Sequence, residues 1–113
     1  MRREAEEAVK KLLEALLKVI SIEEAFIFGS SVKGDWLKES DIDLIVVSRD
    51  FEGMPFTRRL DLIEEIQWKQ RIKPHIEVFP YTPRELREKM ETSVVIRDAS
   101  RYWRRVQKVK LSG

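Results

Sequence analysis

Residues Phe28 to Val47 read FGSSVKGDWLKESDIDLIVV, and the end of this stretch is the clearest strand in the chain. In Asp41–Val47, DIDLIVV, two acids alternate with an isoleucine and a leucine before the run becomes wholly apolar. An apolar, β-branched run of this kind suits a central strand covered on both faces. Asp41 and Asp43 are two residues apart on that strand, so their side chains share a face. Upstream, Ala25 to Phe28 is a short apolar run closed by Gly29, which reads as a second buried strand. The polar segment Ser30 to Glu39 contains Gly34 and reads as a short helical turn and a loop.

On either side the pattern is helical. Over residues 3 to 20, Val9, Leu12, Leu13, Leu16, Leu17 and Ile20 recur at three- and four-residue spacing. Pro55 suits the first turn of a second helix that runs to about Arg71, with Phe56, Leu60, Ile63, Ile66 and Gln67 on one side. His75 to Phe79, HIEVF, reads as a third strand after Pro74. Thr82-Pro83-Arg84-Glu85 has the form of a capping box with proline in the first helical position. The helix it opens at Pro83 carries Leu86, Met90 and then Val94 and Val95 inward. Beyond Asp98 the sequence fits either a last strand or more helix. The order predicts an α/β (α+β) fold, with helices flanking a small mixed sheet.

At 113 residues, with no internal repeat or linker, the chain is expected to be one domain, 1–113. From about residue 100 it becomes a basic tail, with Arg101, Arg104, Arg105, Lys108 and Lys110, either solvated and flexible or interface-forming. Charge is otherwise balanced, 22 basic against 20 acidic residues, which does not mark a nucleic-acid binder. The absence of cysteine excludes disulfides and thiolate metal sites, and a single histidine excludes a His-rich zinc site. No apolar run is long enough to span a membrane, and Met1-Arg2-Arg3-Glu4 does not lead into a signal peptide's apolar core. The expected location is therefore the cytoplasm.

The candidate chemistry lies at strand ends. Two carboxylates as close as Asp41 and Asp43 repel unless a cation sits between them, and oxygen donors without imidazole or thiolate select Mg2+ or Mn2+. Glu77 is a third acid, inside the apolar strand HIEVF. If that strand lies beside DIDLIVV, Asp41, Asp43 and Glu77 converge, and three such donors can hold two divalent ions roughly 4 Å apart. Gly29 lets backbone approach a phosphate, Ser30 adds a hydroxyl donor, and Lys33 adds positive charge nearby. Rival motifs fail on particular residues. A P-loop would need Lys-Ser/Thr where Asp35-Trp36 stands, and a serine-hydrolase elbow would need glycine at Lys33.

These pieces, in this order, resemble the minimal nucleotidyltransferases of the DNA polymerase β superfamily. The hallmark is Gly-Ser, ten intervening residues, then Asp-x-Asp on a strand; here Gly29-Ser30 is followed by Ser31 to Ser40 and then Asp41-Ile42-Asp43. Gly34, Ser40 and Leu44 match further details of that motif. The resemblance is close over residues 26 to 47 and looser to 79. It implies a polymerase-β-like nucleotidyltransferase fold, metal binding and catalysis by Asp41, Asp43 and Glu77, and NTP phosphates held by Gly29, Ser30 and Lys33. It also implies ATP as substrate and AMP as the transferred group. The chain departs from the family in having Lys33 for an arginine, which loses the bidentate fork, and Glu77 for an aspartate, which lengthens the third ligand by a methylene.

At this length no acceptor-binding domain is expected beside the catalytic one. The resemblance implies a separate helical HEPN-type partner protein in a toxin–antitoxin pair, whose hydroxyl accepts the nucleotide; a homo-oligomer is also compatible. A second reading is an inert subunit that neutralises its partner by contact, and nucleic-acid end modification, resting on the basic tail alone, is a third.

Overall fold

The computed structural model describes residues 3–28, 42–101 and 104–106. Helix α1 spans Arg3–Leu16 and buries Ala5, Ala8, Val9, Leu12, Leu13 and Leu16. The helix expected to reach residue 20 stops four residues earlier. Its end tightens into a turn, in which the amides of Lys18 and Val19 donate to the carbonyls of Ala15 and Leu16, three residues back. Ile20 still reaches the core, but Val19 is turned out to solvent.

The strands are β1 (Glu24–Phe28), β2 (Ile42–Val47), β3 (Ile76–Tyr81) and β4 (Arg104–Arg105), in the order β3-β2-β1-β4. β2 is antiparallel to β1 and parallel to β3, so the sheet is mixed. A parallel neighbour requires a crossover, and helix α2 (Phe56–Gln70) supplies it. β2 is central, as its apolar run requires. Ile42, Leu44 and Val46 pack into one cluster with α1, Phe51 and Ile63, whereas Ile45 and Val47 pack into another with Phe26, Tyr81 and Ile96.

α2 begins after Pro55 and ends at Arg71, which takes the left-handed conformation (φ 53°) in the C-cap position. Its buried stripe is Arg59, Ile63 and Gln67, four residues apart. Phe56, expected inward, is 45 % exposed. Arg59 takes the inward place instead, because its polar end finds partners along β3. The parallel pairing turns the amide and carbonyl groups of His75, Glu77, Phe79 and Tyr81 toward β2, and those of the residues between them toward the outer edge. At that edge the Gln67 side chain accepts from the Ile76 amide (3.0 Å) and donates to its carbonyl (2.8 Å). Pro80 has no amide to leave unpaired, and its carbonyl accepts from Arg59 Nη1 (3.0 Å). The helix thus covers an edge that would otherwise template another strand.

Helix α3 (Pro83–Thr92) opens on the capping box read in the sequence. The Glu85 amide donates to Thr82 Oγ1 and the Thr82 amide to Glu85 Oε1. Glu85 also receives Arg59, 2.7 Å from Oε1 and 3.2 Å from Oε2. That hydrogen bond, ahead of the capping amide of Thr82, holds the Glu85 carboxyl below its ordinary range against the opposing effect of burial. The guanidinium lies over the rings of Phe51 and Phe56 at 5.4 and 5.7 Å. Leu86 and Met90 pack inward as expected. Val94 does not: Ser93 ends α3 and caps a separate short helix, α4 (Val94–Ala99), which turns Val94 out (75 % exposed) and buries Ile96. The Val95 side chain lies outside the described residues.

The ambiguous end contains a strand. β4 pairs antiparallel with β1, Arg105 opposite Phe26 and Arg104 opposite Ile27, and the Val106 amide donates to the Ala25 carbonyl. Arg104 and Arg105 are therefore not part of a frayed tail; they ion-pair with Glu6 (3.5 Å) and Glu24 (3.6 Å). Tyr102, Trp103 and residues 107–113 lie outside the described residues. Among the described residues no helix is long and apolar enough to cross a membrane.

Candidate active site

The register of the three longer strands assembles one row. Phe28, the last residue of β1, is opposite Asp43 on β2, and Asp43 is opposite Glu77 on β3. Neighbouring strands are about 4.8 Å apart, and register partners present their side chains to the same face. Asp43 alternates with Ile42 and Leu44, so it shares the face of Ile45 and Val47, and Glu77 shares that of Phe79 and Tyr81. Asp43 is half-buried and Glu77 exposed. The row lies at the start of β2 and β3, beyond the apolar residues on which α3 and α4 pack.

Of the residues read as a site, Asp43 and Glu77 thus stand side by side on the same sheet face. Asp41, Gly29, Ser30 and Lys33 lie outside the described residues. The chain runs from Phe28, a member of the row, directly into Gly29-Ser30, and from Asp41 directly into β2. No group of three or more metal-ligating side chains occurs among the described residues, where only these two of the three expected acids are present. The donors that are present suit a hard divalent cation: paired carboxylates without imidazole or thiolate. His75, read as a half-exposed residue after Pro74, is half-exposed, and its Nε2 lies 3.0 Å from Glu64 Oε2.

Gln67 is the residue whose role pattern alone could not supply. It lies on the predicted inward side of α2, but an inward glutamine has no assigned partner until β3 is in place. Its two bonds to Ile76 fix the backbone one residue before Glu77, which makes it a positioning residue for the row.

A family model described as the nucleotidyltransferase domain matches residues 7–103. The chain belongs to this family, and its class of activity is nucleotidyl transfer. No curated protein matches it. Among solved structures it is similar to a candidate nucleotidyltransferase from Sulfolobus solfataricus (TM-score 0.57, 23 % identity, 78 % of this chain and 82 % of that one). It is equally similar to a toxin–antitoxin structure with AMP-PNP (TM-score 0.57, 19 % identity, 96 % and 76 %). BolA1 from Arabidopsis thaliana also shares the fold (TM-score 0.52, 21 % identity, 75 % and 98 %). A fold shared this widely does not specify a reaction. The family match and the sequence motif distinguish this chain.

Proposed function

We propose that this protein transfers AMP from ATP to a hydroxyl of a partner protein, in a reaction that requires Mg2+ or Mn2+, and that it is the antitoxin of a pair with a helical HEPN-type toxin. The observation that carries this reading is the row of Asp43 and Glu77 beside the end of β1, where the Gly-Ser motif begins. The similarity to a toxin–antitoxin structure with AMP-PNP supports both the nucleotide and the paired partner.

In this reading Asp41, Asp43 and Glu77 hold two divalent ions, which supply charge stabilisation for the phosphoryl group. Gly29 and Ser30 receive the triphosphate through backbone amides and the Ser30 hydroxyl, and Lys33 offsets its charge. The acceptor oxygen forms a bond to the α-phosphorus, the bond to pyrophosphate breaks, and the acceptor proton is released. The partner protein fixes the acceptor's position, a contribution worth roughly 7–11 kcal/mol of barrier when well oriented.

The test is incubation of the protein with labelled ATP, Mg2+ and the product of the neighbouring gene. Label is expected on the partner protein, and Asp43→Asn is expected to abolish its appearance. Undiminished transfer by Asp43→Asn overturns the assignment of the row. Neutralisation of the partner without any transfer of label would make the protein a binding subunit rather than an enzyme.

A further inference from the structure

We propose that the corner where α2 gives way to β3 binds a nucleotide unit, its base stacked on Trp68 and its phosphate held by Arg71 and Lys73. This site lies outside the carboxylate row, and the inference does not depend on which acceptor the enzyme uses. Trp68 is 82 % exposed, the most exposed large apolar side chain among the described residues. Its helix is sealed against the sheet through Arg59, Ile63 and Gln67, so the indole has no packing task there. An open cavity of about 570 Å3 lies beside it, lined also by Arg71, Lys73, Glu64 and His75. That is the size of a small-molecule site.

Charge in the cavity points the same way. Lys69 is engaged by Glu65 (3.0 Å) and His75 by Glu64 (3.0 Å). Arg71 and Lys73 make no ion pair among the described residues, so the lining carries an excess of positive charge beside an open aromatic face. An aromatic platform with adjacent cations takes a base and its phosphate, largely without regard to sequence. Arg71 adds an independent observation. It occupies a left-handed C-cap (φ 53°), where glycine would sit without strain. A non-glycine side chain in that conformation carries a conformational cost. The cavity meets the outer edge of β3, where Gln67, part of its lining, bonds the backbone of the residue preceding Glu77.

A free mononucleotide and a single-stranded nucleic acid offer the same chemistry, so both are probes. Fluorescence polarisation of a labelled single-stranded oligonucleotide of roughly ten nucleotides, with AMP as competitor, is measured on the full chain without divalent ions. Binding is expected, and it is expected to persist in Asp43→Asn. Trp68→Ala should weaken it about ten-fold or more, while Trp68→Phe, which keeps a stacking face, restores most of the affinity. Arg71→Ala and Lys73→Ala should each lower the salt slope by about one. The side chain is so exposed that Trp68→Ala should keep the wild-type melting temperature. Efficient competition by AMP assigns the site to a single nucleotide, and competition only by unlabelled oligonucleotide assigns it to a nucleic acid; either supports the proposal. Binding that needs a divalent ion or is lost in Asp43→Asn belongs to the carboxylate row and overturns it. So does affinity unchanged by Trp68→Ala, or failure of both probes to bind, the latter including the case in which Trp68→Ala releases a protein partner.

Discussion

The two faces of the sheet are built to different standards. Against one face, α1 and α2 close a continuous core that includes Leu12, Leu13, Leu16, Leu44, Phe51 and Ile63, all buried. On the other face, the buried cluster among the described residues is Phe26, Ile45, Val47, Tyr81 and Ile96, and α3 buries none of its own residues. The row of Asp43 and Glu77 stands on this thinner side. Carboxylates that are to receive cations, as proposed for this row, must remain open to solvent, since a charge buried without a partner is costly. The cover that would give this face a deep core would also close the row. Stability is therefore concentrated on the first face, and the proposed chemistry on the second.

This contrast can be broken experimentally. The largest expected effect is from Leu12→Ala on the sealed face, which should cost about 2–5 kcal/mol in denaturant unfolding. Met90→Ala on the thin face removes a half-buried side chain and should cost clearly less. Equal costs would mean that the two faces contribute alike.

Next comes the clamp between α2 and α3. Arg59 is 5 % exposed and bonds Met54, Pro80 and Glu85. Arg59→Ala should destabilise by about 2–3 kcal/mol, since it leaves the Met54 and Pro80 carbonyls without their donor and a partly buried carboxylate without its guanidinium. The same pair sets a pH dependence. Glu85 has its carboxyl pKa lowered in the fold from an ordinary value of 4.5, chiefly by the Arg59 hydrogen bond. Its stabilising contribution is therefore complete above about pH 4.5 and is lost as pH falls through the lower folded value. Urea unfolding between neutral pH and pH 3 should show this acid loss in the wild type and a reduced loss in Glu85→Gln; identical profiles would count against the pair.

Gln67→Leu should cost about 1–3 kcal/mol, because the Ile76 amide and carbonyl lose their partners. Since those bonds hold the backbone before Glu77, it should also slow transfer at temperatures where the variant remains fully folded. The smallest expected effect on stability is that of Glu77→Gln. An exposed acid on the thin face should change unfolding by no more than about 0.5 kcal/mol, yet the proposed function requires a severe loss of transfer. A variant that unfolds readily would place Glu77 in the structural part of the molecule instead.

Much of this molecule could be read from residue order. The apolar period of α1, the doubly apolar β2, the Pro83 capping box and the alternation in HIEVF are local patterns, set by side chains a few residues apart, and each element formed where its pattern lay. The Gly-Ser and Asp-x-Asp spacing is equally local, and it led to the family. Where sequence fell short, the deciding partner was distant. Phe56 and Arg59 lie three residues apart on α2, and by hydrophobicity Phe56 belongs inside; Arg59 goes inside because the Pro80 carbonyl and Glu85, more than twenty residues away, satisfy its guanidinium. Val94 was turned out by the cap at Ser93, and Arg104–Arg105 became a strand because β1 had an open edge. The register that sets Asp43 beside Glu77 is of the same kind: two acids thirty-four residues apart meet only because α2 carries β3 back parallel to β2. Pairing between strands depends on hydrogen bonds and packing that exist only once the chain has closed on itself.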